Sequence, residues 1–192
     1  MMRLYLLAIV VVLIYGCNNT PGKEIVQNKV AEEKPDFFPV TAYILGQVRE
    51  IRENLKTPIK YITINNHTDS VFLKFEELNG HLTEFLTPQI DSANLAPFFT
   101  ETKFLDQTID AFTFTYEPKI KLPDSIMLRR WNVYIDPATG KVKRIFLLKK
   151  IDANKMLQLT WQSNEMCTAT TINNISADSS VVEKEEKIIW EY

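Results

Sequence analysis

Apolar residues recur at helical spacing just after residue 36, where Val40, Ile44, Val48, Ile51 and Leu55 fall three or four apart. Gln47, Arg49, Glu50, Arg52 and Glu53 take the other faces, so the segment reads as an amphipathic helix. Pro58 marks its end, because the residue before a proline is pushed out of the helical region. Ile59 to Ile64 is a short β-rich run, Asn65 to Asp69 is turn chemistry, and Val71 to Lys74 is expected to pair back as a hairpin. A second helix is predicted over Glu76–Leu86, with Leu78, Leu82 and Phe85 inward and Pro88 beyond its end. Asp91-Ser92 can cap a third, reaching Phe99.

From about Phe104 the period changes to two. Phe112-Thr113-Phe114-Thr115-Tyr116 alternates, as do Trp131, Val133 and Ile135. Asp136-Pro137-Ala138-Thr139-Gly140 is a turn, returning through Val142 to Ile151. Asp152-Ala153-Asn154 turns into Leu157 to Trp161, and Ser163-Asn164-Glu165 into Met166 to Ile172. A polar loop, Asn173 to Ser180, precedes a last strand ending in Ile188-Ile189-Trp190. Strands joined by tight turns imply an antiparallel meander, so the fold class is α+β, with N-terminal amphipathic helices packed on that sheet. Leu157, Leu159 and Trp161 should face the helix stripe. Met156, Gln158 and Thr160 should face solvent as a short, polar, flat surface. The run from Trp131 through Val133, Ile135, Asp136, Pro137, Thr139 and Gly140 to Val142 is similar to the strand-turn-strand of PepSY-type domains.

The first residues have a different pattern. Met1-Met2-Arg3 is positive, and Leu4 to Tyr15 is an apolar run of 12 residues. A membrane-crossing helix needs about 20, so the run matches the apolar core of a secretory signal. Ile14-Tyr15-Gly16-Cys17 follows, and this resembles the lipobox of bacterial lipoproteins, although Tyr15 is larger than the family's usual residue. The resemblance implies a signal peptide over 1–16, cleavage between Gly16 and Cys17, and a lipid anchor on Cys17. With Asn18 rather than Asp next, it also implies the outer membrane, facing the periplasm. Residues 17–35 then form the lipidated cysteine and a flexible tether, since Pro21, Gly22, Pro35 and many polar residues leave nothing to pack. Residues 36–192 remain for a single α+β domain.

Composition narrows the chemistry. A net charge of −2 argues against nucleic acid as a partner, because phosphate binding draws on concentrated Lys and Arg. Two cysteines suggest a disulfide, but lipid on Cys17 leaves Cys167 alone, as a small buried hydrophobe. His67 and His81, the only histidines, lie in a polar turn and on a helix and read as solvated. No serine stands in a G-x-S-x-G elbow, and no C-x-x-C, H-x-x-x-H or EF-hand spacing occurs. Gly46, Gly80 and Gly140 are too scattered for a phosphate cradle. No catalytic, cofactor-binding or metal-ligating residue is therefore assigned, and no cofactor is expected.

Three charged features remain. Glu76-Glu77 complements a helix dipole. Glu183-Lys184-Glu185-Glu186-Lys187 reads as a solvated edge strand. Arg129, Arg130, Lys141, Lys143, Arg144, Lys149 and Lys150 concentrate charge on one hairpin, where anionic headgroups or an acidic partner could dock, although adjacent Lys143 and Arg144 must face opposite sides. The expectation is a membrane-anchored envelope lipoprotein that binds an unknown envelope protein or polymer without catalysis. The alternative is a carrier of apolar cargo between a curved sheet and its covering helices. A large apolar pocket would favour the carrier, and a filled core with an exposed aromatic patch would favour the binder.

Overall fold

A computed structural model describes residues 36–176 and 178–190. Helix α1, Val40–Glu53, buries Val40, Ile44, Val48 and Ile51, as the stripe predicts. It stops before the stripe does. Leu55 takes a left-handed φ of 52°, its N–H bonds to the Arg52 carbonyl, and the Lys56 N–H bonds to that of Ile51. This is a Schellman stop with leucine where glycine is usual. Leu55 is consequently 89% exposed and does not join the buried stripe.

Strand β1, Ile59–Ile64, turns through Asn65 and Asn66 into β2, His67–Phe72. Both asparagines have positive φ, the geometry of a tight two-residue hairpin, so His67, Thr68 and Asp69 belong to the strand rather than the turn. The predicted second helix is two short ones, α2, Phe75–His81, and α3, Thr83–Leu86; Leu78, Phe85 and Leu82, which joins the two, are buried as expected. Asp91 caps α4, Ser92–Leu95, by accepting from the Asn94 N–H. Phe99 lies beyond that helix and opens β3, Phe99–Asp106.

The meander continues through β4, Ala111–Pro118, β5, Leu128–Ile135, and β6, Val142–Lys150. It is completed by β7, Lys155–Gln162, β8, Met166–Ser176, and β9, Ser179–Ile189. Asn173 to Ser180, expected as a loop, is mostly the extended end of the β8–β9 ladder. The nine strands of the described residues form one antiparallel sheet in the order β2-β1-β9-β8-β7-β6-β5-β4-β3. The charged run 183–187 is therefore not an edge: β9 lies between β8 and β1.

The helices cover one face, which we term inner. Tyr116, Trp131, Val133, Ile145, Leu147, Leu157, Leu159, Trp161, Cys167 and Ile188 point into it and are buried. Tyr116 and Trp131 stack at 4.4 Å between centroids, and Trp161 lies 4.9 Å from Trp190 and 5.8 Å from Phe85. Side-chain hydrogen bonds hold α1 and its flanks in place, among them that from the Phe37 N–H to Ser92 Oγ. The Phe38 N–H donates to Tyr116 Oη and the Ile90 N–H to Thr41 Oγ1, Tyr43 Oη pairs with Ser163 Oγ, and the Asn164 N–H donates to Gln47 Oε1.

Candidate binding surfaces

The outer face is solvent-facing but not the short polar plane expected. Cross-strand registers place Thr115, Asn132, Phe146, Thr160 and Thr168 in one row. Phe104, Thr113, Tyr134, Arg144, Gln162 and Met166 form the next. Arg130, Leu148, Gln158 and Thr170 form a third. Thr113 is buried although it points outward, because Phe104 and Tyr134 flank it across the strands. The Arg144 guanidinium lies 4.3 Å above the Tyr134 ring, and that of Arg130 lies 5.9 Å from Phe146. Asn132 Nδ2 donates to Thr115 Oγ1 at 2.6 Å, fixing the polar part of the row.

The basic hairpin is split, as the alternation of Lys143 and Arg144 predicts. Arg130 and Arg144 are exposed beside their outer-face rings. Lys143 reaches back to the carbonyls of Ile109 and Asp110. Lys149 points into the inner face and is buried, its ammonium 2.7 Å from Glu84 and hydrogen-bonded also to the Glu84 carbonyl.

That ion pair belongs to a polar group under the α2–α3 corner, absent from the sequence-based expectations. Lys60, buried on β1, lies 2.6 Å from Glu186 and 3.1 Å from His81 Nδ1, and Lys184 reaches the other Glu186 oxygen at 3.0 Å. Burial raises the Glu186 pKa, but hydrogen bonds from Lys60 and Lys184 outweigh it and hold the carboxyl below its ordinary value. Partial burial and the nearby Lys60 charge lower the His81 pKa. His81 is exposed, as expected, yet it is not simply solvated.

A cleft of about 590 Å³ opens beside this group. Its floor is the inner face at Lys149, Leu157, Ala169, Thr171 and Glu186, its roof runs from His81 to Pro88, and Ile126, Met127 and Ile151 form a wall.

Glu76 and Glu77 occupy the first turn of α2, as their place ahead of an apolar run suggests. His67 lies on exposed β2, 3.4 Å from Asp69. Cys167 is free and buried, and burial pushes its thiol pKa well up. Gly16, Cys17 and the tether lie outside the described residues. Among the described residues no group of three or more His, Cys, Asp or Glu is placed to hold a metal ion, and no helix is long and apolar enough to cross a membrane.

No family model, no curated protein and no solved structure matches the chain.

Proposed function

We propose that this chain is a lipid-anchored envelope protein that works by non-covalent binding of a protein partner, with the outer face of β5–β7 as the contact. The observation that carries this reading is the pair of arginines on aromatic rings, Arg144 on Tyr134 and Arg130 on Phe146, set among Leu148, Met156 and Met166. Interfaces concentrate arginine, aromatics and methionine, and the same residues dominate their binding energy. Threonine, asparagine and glutamine between them supply hydrogen-bonding groups on a rigid ladder. The part of the helix–sheet layer around Trp131, Trp161, Trp190, Tyr116 and Phe99 is filled, which leaves no cargo space at that place. The lipid anchor is inferred from the Ile14–Cys17 run alone.

The test is site-specific photocrosslinking in intact cells. A photoreactive residue at Gln158 should give one discrete protein adduct, and Arg144→Glu should remove it. The same residue at exposed Ala42 on α1 should give none. Equal adducts from both positions, or an adduct indifferent to Arg144→Glu, would overturn the assignment.

A further inference from the structure

The cleft beside the α2–α3 corner combines an apolar and a charged lining. Leu95, Ile126, Met127, Ile151 and Leu157 supply the apolar part. Met127 and Ile151 are each 41% exposed, so large apolar side chains stand half-open to water there. Lys149 lies on the floor beside its cross-strand partner Leu157, with its side chain only 5% exposed. A buried ammonium is costly unless an anion meets it. Its counter-ion among the described residues is Glu84, whose side chain is 56% exposed and sits on a four-residue helix. The cation is thus fixed in the sheet while its carboxylate partner is half in water.

In this group Lys60, Lys149 and Lys184 face Glu84 and Glu186. Glu186 is already engaged by Lys60 and Lys184. If Glu84 swings outward, Lys149 is left with one unmatched positive charge beside an apolar trough. At about 590 Å³ the trough falls within the roughly 300–1,000 Å³ range of small-ligand pockets.

We infer that this cleft binds a single-chain amphiphile with one anionic oxygen head, the head replacing the Glu84 carboxylate on Lys149 and the chain lying against Met127, Ile151 and Leu157. The site is on the face opposite the proposed partner surface, so the two stand or fall separately. Head and chain are both required: the charge selects an anion, and the half-exposed wall gives a tail something to cover.

The experiment uses the full chain in lipid nanodiscs and dodecanoate carrying a diazirine at its chain end, with adducts mapped by mass spectrometry after illumination. Adducts should concentrate at 126–127 and 151–157. Unlabelled dodecanoate should compete at least tenfold better than dodecanol. Dodecyl phosphate competing equally well would assign the site to anionic oxygen heads in general, and its failure would restrict the site to carboxylates. Lys149→Met should cut labelling at least tenfold. Because that change touches a buried ion pair, Ile151→Trp serves as the second variant: it fills the mouth from an exposed position, and should abolish labelling with an unaltered melt. Scattered adducts, equal competition by dodecanol, or full labelling of Ile151→Trp would each overturn the assignment.

Discussion

Truncating Leu159 to Ala measures the face assignment of β7, on which the proposed partner surface depends. Leu159 is fully buried, paired across the sheet with Leu147 on one side and Ala169 on the other. The change removes three carbon groups, and at about 0.8 kcal/mol each the transfer cost alone is about 2.4 kcal/mol. The cavity they leave adds to this, because packed indoles and a hydrogen-bonded sheet relax only partly, so the total falls within about 2–5 kcal/mol. For a domain of this size each kcal/mol shifts Tm by about 2–4 °C, giving a drop of about 4–20 °C. Urea unfolding followed by tryptophan fluorescence reads the change through Trp161, which points to the same face two residues away. The internal control is the neighbouring position. Gln158 points outward, so Gln158→Arg should stay within about 0.5 kcal/mol of the parent. A Leu159→Ala loss below about 1 kcal/mol, or unfolding by Gln158→Arg, would refute the register.

The pKa of His81 is lowered on folding and so is that of Glu186, so both favour the folded state at higher pH. Stability should fall as pH drops below 6.5 and again below 4.5, and His81→Gln should remove only the first step in an acid titration followed by circular dichroism. Leu55→Gly should raise stability by up to about 1 kcal/mol, because the exposed leucine occupies a left-handed position that costs about 1–2 kcal/mol for a side chain; a lower denaturation midpoint would contradict this. Cys17→Ser should abolish acylation and leave the precursor unprocessed, as mass analysis of the N-terminus would report. The domain's melt should be the same with and without reductant, because Cys167 is free and buried.

Periodicity revealed most of the architecture, because core-facing residues must repeat at the step of the element that carries them. It failed where a stop or a pairing is not local. Leu55 continues the apolar step of α1, but the Schellman geometry ends the helix before it. Thr100, Glu101, Thr102 and Lys103 look like loop because β3 is an edge strand and needs little apolar surface. The run 183–187 looks like an edge because charges alternate, yet one of its parities faces Lys60, which is more than 120 residues earlier. Lys149 was legible in principle: it shares parity with buried Ile145 and Leu147, and a lysine at such a position needs a partner. That the partner is Glu84 depends on how α3 packs, which no local pattern contains.

The insertion of β9 between β8 and β1 also sets a timetable. During synthesis β1 and β2 emerge early, but the strand that joins them to the rest of the sheet is the last to appear, with Ile59 waiting for Ile189. Until then the hairpin has no sheet to extend, Lys60 has no Glu186, and β8 presents a bare edge. Closing so long a loop is slow relative to the local hairpins of the meander. The growing chain should therefore hold a finished β3–β8 block beside an unattached N-terminal hairpin, and a truncation ahead of Glu183 should leave that hairpin permanently adrift.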